Sequence, residues 1–475
     1  MSRRGAHAHR PGPRRAPTMR GAVLMTVVGA LLPGAGFFYA RRPKVGWVVA
    51  LGAVAVVVGT LLWIPLSREQ ALDFVLDPTR ARLAGILLAV VLGGWLVVVA
   101  ATFLVLRPVP TQRWRLTVGV ASVLALAAIV AAPTTVAARY AMVQADLVET
   151  VFKKDGVSTT TPDSTDRDPW AGQDRLTILL LGGDGGEGRI GVRTDSMIVL
   201  SVDVSSGRAV TFSLPRNMMN AQFPEGTKLH EIYPYGFTGP GDPGSWMLNA
   251  VYRDVPITNP DAIGQSDNPG ADALKLAIEG STGLKVDYYF LVNLDGFKKL
   301  IDAMGGVTVN INTQVAVGGN TDAGIPPDYY LQPGPDQHLS GFKALWFARG
   351  RYGADDYQRM ERQRCMVDAI VKQANPLNLF RRFEAIAKAS KGTVFTDIPQ
   401  HLLPDLVNLA LKVKDRPMRS VVFTRSAEFD PGAPDFDWLR ATVAKALKHR
   451  HHRTGDQNHS STKNKDVCAY TGPAQ

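Results

Sequence analysis

Apolar residues crowd the first third of the chain, where they form four runs separated by short charged segments. The runs cover residues 21–40, 45–65, 83–106 and 116–138. Each run approaches the roughly 20 residues that a membrane-spanning helix needs. A cleavable signal peptide has a single short apolar core, so several long runs indicate helices that stay attached. The pattern predicts a transmembrane region over 21–140 with up to four helices, preceded by a basic cytosolic tail over 1–20.

The charges between these runs predict how the region crosses the membrane. The loops after the first and third runs are basic, with Arg41, Arg42, Lys44, Arg107, Arg113 and Arg115. The positive-inside rule places both loops in the cytosol and the residues after the fourth run outside. The loop at 66–82 mixes arginines with acidic residues and is the external one. The N-terminal arginines also favour the cytosol. Either 21–40, interrupted by LLPGAG, turns back without crossing, or the N-terminus lies outside against the rule.

The rest of the chain alternates strand-like and helix-like patterns. After a polar linker over 141–173, LTILLLGG reads as a strand, and a Ser-Ser-Gly turn joins the alternating runs MIVLSVDV and AVTFSL into a hairpin. ADALKLAIEG and LDGFKKLIDAMGG place apolar residues at helical spacing and end at glycine. Strands interleaved with helices predict an extracytoplasmic, mixed-sheet α/β domain over 174–447, with helices on both faces of the sheet.

The last residues, 448–475, form a polar tail that begins with a histidine-rich run. Such runs can bind metal, but this one lacks regularly spaced carboxylate or cysteine partners, and the alternative is a mobile segment. Two cysteines, Cys365 and Cys468, fit no zinc motif, so they form either one bridge or two free thiols. Because VCAYTG is more apolar than the run before it, we expect this segment to dock on the domain and Cys468 to bridge Cys365.

The chain is basic, with a net charge of +11 and an isoelectric point of about 9.6. Nucleic acid, membrane lipid and an anionic substrate are the partners that such a charge attracts. Nucleic-acid recognition needs aromatic platforms or groove-reading helices, and a site outside the cell beside a membrane meets little nucleic acid. The composition therefore favours the membrane and an anionic substrate, with no nucleic acid.

Charged residues stand at the ends of the predicted strands. Asp184 follows LLLGG, Arg193 and Asp195 open the hairpin, and Arg216 closes it. Further along, RGRYGADDYQRMERQR is rich in arginine, whose guanidinium group matches phosphate oxygens two at a time. Two carboxylates, Asp184 and Asp195, suit Mg²⁺, which completes its shell with phosphate oxygens and water. The alternative is that these charges are solvated strand ends.

Five segments, in this order, resemble the signatures of the LytR-CpsA-Psr family of cell-wall glycopolymer ligases. They are LLLGGD, RTDSMIVLSVD, TFSLPRN, LVNLDGFKKLIDAMGGVTVNI and ALWFARGRYGADDYQRMERQR. The resemblance covers roughly residues 174–373 and implies a membrane-anchored phosphotransferase. Such an enzyme moves a glycopolymer from a polyprenyl diphosphate carrier to peptidoglycan, typically at the 6-hydroxyl of N-acetylmuramic acid. Pyrophosphatase activity on the carrier is the implied side reaction when no acceptor hydroxyl is bound.

The resemblance also implies roles for individual residues. Asp184 and Asp195 would hold Mg²⁺, or Mn²⁺, while Arg193 and Arg216 would contact the diphosphate oxygens. The paired arginines of the family's R-x-R element fall on Arg349 and Arg351, and its later Asp, Arg, Arg and Gln fall on Asp356, Arg359, Arg362 and Gln363. Among these, Asp356 is the candidate acceptor of the proton of the attacking hydroxyl.

One element departs from the family pattern. Members often carry a lysine in K-[IL]-N-x-x-Y after the hairpin, whereas MLNAVY has Met247 at that position. KLHEIYPYG matches in part a little earlier, which makes Lys228 a candidate substrate-binding residue.

The sequence therefore predicts a multi-pass protein of the cell membrane that transfers a glycopolymer phosphate to peptidoglycan. The alternative is a non-catalytic protein that binds lipid diphosphate or wall polymer.

Overall fold

A computed structural model describes most of the chain. The described residues are 14–63, 74, 76–109, 112–152, 158–165, 167–183, 194–321, 324–373, 382–414, 416, 418–448 and 468–472. The chain divides into two compact units, Met1–Asp146 and Leu147–Gln475.

The first unit consists of helices. They are α1 (Met19–Leu31), α2 (Ala35–Tyr39), α3 (Pro43–Trp63), α4 (Pro78–Leu106) and α5 (Arg113–Val151), the last of which continues into the second unit. In the described part of the chain three helices, α3, α4 and α5, are long and apolar enough to cross a membrane. These three correspond to the second, third and fourth apolar runs of the sequence.

The first apolar run forms two short helices instead of one. α1 has 13 residues, so it is about 20 Å long, whereas the hydrocarbon core of a bilayer is roughly 30 Å thick. Leu32, Pro33 and Gly34 separate it from α2, and Gly34 has a φ of 100°, a conformation that favours glycine. The backbone N–H of Arg14 donates to the carbonyl oxygen of Ala40 over 3.2 Å. The segment therefore turns back and ends beside its beginning.

The second unit is built on a six-stranded sheet with strand order β10-β3-β2-β1-β4-β9. The strands of this unit are β1 (Arg175–Gly183), β2 (Thr194–Asp203), β3 (Ala209–Leu214), β4 (Tyr288–Asn293), β5 (Val307–Ile311), β6 (Val315–Val317), β7 (Tyr329–Leu331), β8 (Gly334–Leu339), β9 (Val394–Thr396) and β10 (Arg419–Val422). β1 runs antiparallel to β2 and parallel to β4, so the sheet is mixed. The predicted hairpin is β2–β3, and Gly207 of its turn has a φ of 71°.

Helices cover both faces of this sheet, which confirms the predicted fold class. The helices are α6 (Lys228–Ile232), α7 (Leu248–Thr258), α8 (Pro269–Thr282), α9 (Leu294–Met304), α10 (Gly341–Arg349), α11 (Asp356–Gln373), α12 (Phe383–Ser390), α13 (Leu403–Lys414) and α14 (Phe436–Lys448). On one face Leu179, Val199 and Phe212 pack with residues of α7, α8 and α14. On the other face Leu176 and Val202 pack with residues of α13.

A separate core supports the region that follows β4. Ile301 of α9, Val309 of β5, Phe347 of α10 and Met366 of α11 are buried together there. Two short antiparallel pairs, β5–β8 and β6–β7, complete this region. Because α10 and α11 pack on the same core, their facing ends are held close together.

The segment predicted as a solvated linker, 141–173, is partly helical and partly bound to the domain. α5 continues to Val151, and the hydroxyl groups of Ser158 and Thr160 donate to the Asp272 carboxylate over 2.9 and 2.6 Å. Asp272 is 1% exposed. The prediction failed here because the polar residues of the linker satisfy a buried carboxylate that lies far along the sequence.

The C-terminal residues 468–472 form a strap across the second core. Cys468 is bonded to Cys365 of α11, with Cα atoms 5.3 Å apart. The side-chain amide of Asn310 donates to the carbonyl oxygen of Cys468 over 2.8 Å, and that of Asn312 donates to Ala469 over 3.0 Å. The strap therefore joins β5 to α11, as the contrast of VCAYTG with the preceding run predicts. The histidine-rich run before it lies outside the described residues.

We expect Cys468→Ser to lower the free energy of unfolding by about 2–4 kcal/mol, because the bridge closes a long loop in the unfolded chain. Urea unfolding of the full-length protein in detergent measures the change, and Ala469→Ser is the matched control. Non-reducing peptide mapping should find one linked peptide containing Cys365 and Cys468. Two alkylatable thiols in protein taken from the oxidising side of the membrane would contradict the bridge.

Candidate active site

The outer end of the hairpin brings two of the predicted charges together. In the antiparallel register Met197 pairs with Leu214, so Asp195 and Arg216 lie opposite each other two residues further out. Nη1 of Arg216 donates to Oδ1 of Asp195 over 2.8 Å. The two side chains are 27% and 43% exposed, so the ion pair is open to a ligand. Asp184 and Arg193, the other predicted charges of this end, lie outside the described residues.

Helix α11 ties the start of β2 to the end of α10. Arg359 is 3% exposed, and its Nη2 donates to the carbonyl oxygen of Asp195 over 3.4 Å. One turn later, Oε1 of Gln363 accepts from the Ser196 hydroxyl over 2.9 Å, and its Nε2 donates to the carbonyl oxygen of Ala348 over 3.2 Å. Positions i and i+4 share one helix face, which explains why both side chains reach the same edge.

Arg362 supports the end of α10. Its Nε donates to the carbonyl oxygen of Phe347 over 2.7 Å, and its Nη2 donates to that of Gly350. Carbonyls at a helix C-terminus lack partners within the helix, so a buried arginine is a suitable donor to them. Burial, and then the charge of Arg359, lowers the pKa of Arg362 to about 10. Arg362 therefore stays charged at neutral pH and positions the segment that carries Arg349 and Arg351.

The R-x-R element lines an open cleft beside this helix end. Arg349 and Arg351 are exposed, and the guanidinium carbon of Arg349 lies 5.7 Å from the centre of the Trp346 ring. The cleft has a volume of about 590 Å³. It is lined by both arginines together with Trp346, Tyr352, Asn320 and Asp355. Asp356 is the first residue of α11, and its side chain lies outside the described residues.

Two candidate segments for the family lysine lie in different places. The backbone N–H of Asn249 in MLNAVY donates to the carbonyl oxygen of Arg216 over 3.1 Å, and Met247 pairs with Met219. Lys228, at the start of α6, instead donates to the carbonyl oxygen of Asp261 over 3.2 Å. Within the described part of the chain Lys228 makes no hydrogen bond or ion pair with Asp195 or Arg216. The MLNAVY segment, rather than Lys228, adjoins the hairpin end.

The sequence that forms this site matches a known protein family. The model of the LytR_cpsA_psr family matches residues 140–433, more than half of the chain. The chain belongs to the LytR-CpsA-Psr family. The match includes the hairpin, the cleft and α11, and it begins within α5.

Proteins named as teichoic acid transferases are similar to this chain at low sequence identity. The polyisoprenyl-teichoic acid–peptidoglycan teichoic acid transferase TagU of Oceanobacillus iheyensis is 28% identical over 239 residues, covering 50% of this chain and 62% of the relative. The protein of the same name from Halalkalibacterium halodurans is 27% identical over 230 residues, covering 48% of this chain and 62% of the relative. The matched region thus spans less than two thirds of each relative's length.

Solved structures also match the chain, at lower sequence identity. The crystal structure of B. subtilis TagV is 22% identical with a TM-score of 0.41, covering 58% of this chain and 98% of that chain. The structure of TagT bound to LIIa-WTA is 18% identical with a TM-score of 0.40, covering 62% of this chain and 96% of that chain.

The described side chains of the site are compatible with a hard divalent cation. They include one carboxylate at the hairpin end, that of Asp195, and no group of three or more His, Cys, Asp or Glu occurs among the described residues. Zinc sites usually need three or four protein ligands, whereas Mg²⁺ is commonly held by one or two carboxylates plus phosphate oxygens and water. A carboxylate is the type of ligand that Mg²⁺ takes, so Asp195 is a described residue that would hold such a cation.

Sequence reasoning missed Ser196 and the supporting role of Arg362. Ser196 follows Asp195 directly, but its partner Gln363 is 167 residues away. Nothing in the local pattern of β2 indicates such a long-range partner. Arg362 resembles its neighbouring arginines in sequence, and only its burial distinguishes it from the exposed Arg349 and Arg351.

We expect Gln363→Leu to lower kcat about 10- to 100-fold, because small displacements of binding groups cost factors of this size. The variant loses the hydrogen bonds that fix α10 relative to β2, so KM for the lipid carrier should change less than kcat. Steady-state kinetics measures both constants. Gln358→Leu, on the same helix but exposed, is the control, and an equal loss in both variants would contradict the role of Gln363.

Proposed function

We propose that this protein transfers a glycopolymer from a polyprenyl diphosphate carrier to a hydroxyl group of peptidoglycan and forms a phosphodiester link. The observation that carries the proposal is the half-buried Arg216–Asp195 ion pair at the hairpin end. The main-chain carbonyl of Asp195 also accepts a hydrogen bond from Arg359 of α11. Membership in the family and the activity for which the TagU relatives are named support the same reaction class.

The reaction is an exchange of one phosphorus–oxygen bond for another. The acceptor hydroxyl oxygen attacks the phosphorus that bears the glycopolymer, and the bond from this phosphorus to the bridging oxygen breaks. Polyprenyl monophosphate leaves, and the new phosphodiester joins glycopolymer and peptidoglycan. Phosphoryl transfer depends on positioning and on neutralising negative charge, which an arginine cluster provides.

Each group of the site takes a part in this step. Arg216, oriented by Asp195, contacts the diphosphate oxygens together with Arg193. Arg349 and Arg351 add positive charge from the cleft, and Arg362 holds their segment in place. Asp356, at the start of α11, accepts the proton of the attacking hydroxyl.

Asp184 and Asp195 are the two carboxylates that would hold Mg²⁺ or Mn²⁺. When bound, the cation would supply positive charge to the diphosphate oxygens. Because Asp195 also pairs with Arg216, the same carboxylate connects the metal-binding and arginine groups of the site.

When water occupies the place of the acceptor hydroxyl, the same bond breaks and the carrier is hydrolysed. Pyrophosphatase activity is therefore the side reaction of this site. A non-catalytic binder of lipid diphosphate is the competing function, since the same arginines would hold the carrier without turnover.

Replacing Arg216 by lysine separates the two functions. We expect Arg216→Lys to reduce turnover by about 100- to 1,000-fold, because a lysine cannot supply the paired donors of a guanidinium group. Carrier binding, measured by equilibrium binding to detergent-solubilised protein, should persist. Arg208→Lys is the control, since Arg208 pairs with Asp203 at the other end of the hairpin. Unchanged turnover in Arg216→Lys would exclude the assignment.

Removal of divalent cations tests the metal proposal. We expect complete chelation to abolish transfer and added Mg²⁺ or Mn²⁺ to restore it, because carboxylate ligands favour these ions. Asp195→Asn should raise the Mg²⁺ concentration needed for half-maximal activity while the thermal unfolding temperature stays near that of the parent protein. Full activity after chelation would refute the role of the metal.

The function requires the second unit to lie outside the cytosol. Three spanning helices that begin at Arg41 and Arg42 on the cytosolic side lead to an external second unit, and the turn in 14–40 lets the basic N-terminus stay inside. A topology reporter at position 160 should be external and one at position 110 cytosolic. A cytosolic signal at 160 would be incompatible with a peptidoglycan acceptor.

A further inference from the structure

We propose that the first unit carries a binding surface for the phosphate groups of anionic phospholipids. The surface, here called the basic end, consists of Arg14, Arg15, Arg20, Arg41, Arg42, Lys44, Arg107, Arg113 and Arg115. The topology proposed above places the basic end at the cytosolic leaflet. Lipid binding at this surface does not depend on the transfer reaction.

The turn in 14–40 brings the first two parts of the basic end together. The hydrogen bond from Arg14 to the carbonyl oxygen of Ala40 joins the segment before α1 to the segment after α2. The guanidinium carbon of Arg14 also lies 4.7 Å from the centre of the Tyr39 ring. Arg14 and Arg15 therefore lie near Arg41 and Arg42, although the sequence separates them by a whole apolar run.

The end of α4 adds the third part. The backbone N–H of Ala16 donates to the carbonyl oxygen of Leu106 over 2.9 Å. Ala16, Ala40 and Leu106 form one buried cluster, with exposures of 3%, 0% and 0%. Arg107 follows Leu106 directly, so it adjoins the same cluster.

The beginning of α5 contributes the last two residues of the basic end, Arg113 and Arg115. A Cβ atom added to Gly119 would lie 2.7 Å from Sδ of Met19 and 3.0 Å from the ring of Phe103. The side chains of α1 and α4 therefore lie directly against the α5 backbone at Gly119. Arg113 and Arg115 lie within two helical turns of this contact, so they belong to the same end of the unit.

This end of the unit carries no compensating negative charge. The sequence contains no Asp or Glu over residues 1–68 or 78–145. All nine cations are at least partly exposed, and in the described part of the chain none of them forms an ion pair. The other end of α4 differs, because Arg80 there pairs with Asp77 over 3.4 Å.

The neighbouring surface identifies the partner as a lipid. Leu104 and Val118, beside the basic end, are 58% and 55% exposed, and Leu24 of α1 is 63% exposed. A ligand that covers both surfaces must combine an anionic head with apolar chains. Guanidinium groups bind phosphate oxygens in pairs, and basic clusters beside membrane helices bind anionic headgroups.

The test is native mass spectrometry of the full-length protein in detergent with added dioleoylphosphatidylglycerol. Each guanidinium removed should weaken binding of this lipid by roughly fivefold, the factor that corresponds to the contribution of one basic residue near an anionic membrane. The combined variant Arg14→Gln, Arg41→Gln, Arg42→Gln should therefore lose about two orders of magnitude. The control Arg80→Gln, Arg82→Gln removes charges from the other end of α4 and should retain binding.

Several outcomes would overturn the proposal. These are unchanged binding in the triple variant, an equal loss in the control variant, equal binding of dioleoylphosphatidylcholine, or displacement of the lipid by millimolar inorganic phosphate. Transfer activity of the triple variant in detergent is measured in parallel. Because none of the three arginines belongs to the candidate active site, retained transfer with lost lipid binding supports the basic end independently of the reaction.

Discussion

The candidate active site depends on the burial of charged side chains of α11. Removing a charged group from water is costly, and hydrogen bonds from its donors to acceptors offset part of that cost. Arg362 finds them in the main-chain carbonyls of Phe347 and Gly350, and Arg359 reaches the carbonyl of Asp195. These carbonyls belong to different elements, so α11 can pack only where they meet. The position of the helix therefore fixes both the hairpin end and the arginine cleft.

The choice of acceptors matters for the chemistry. The hydrogen bonds of Arg362 go to neutral carbonyl oxygens, so they fix its position without cancelling its charge. A carboxylate in their place would satisfy the same donors but would reduce the positive potential at the cleft. In our account the hairpin pair Arg216–Asp195 is the complementary case, because there a carboxylate orients an arginine and also remains accessible to a cation. Arginine thus has a structural role where it is buried, at Arg362, and a binding role where it is more accessible, at Arg216.

The sequence predicts local features of this protein well and long-range ones poorly. Alternation along MIVLSVDV and AVTFSL, with glycine in the turn, was sufficient to predict the hairpin with Asp195 at its beginning and Arg216 at its end. For the first apolar run the sequence left two alternatives, a turn at LLPGAG or a crossing with an external N-terminus, and the structure has the turn. The linker was mispredicted, because its polar residues look solvated until Asp272 is seen to accept their hydroxyl groups. The hydrogen-bond partners of Ser196 and Arg362 could not be predicted from the sequence either, because they depend on packing between elements that are distant along the chain.

The central claim is that the protein joins two polymers through phosphorus and does not only bind or hydrolyse the carrier. The most direct measurement is ³¹P NMR of a reaction containing the purified full-length protein, a polyprenyl diphosphate-linked oligosaccharide and a soluble peptidoglycan fragment. Our account predicts that polyprenyl monophosphate and a new phosphodiester appear in equal amounts as the diphosphate signals disappear. Formation of sugar monophosphate without any phosphodiester, or unchanged diphosphate signals in the presence of bound carrier, would contradict it.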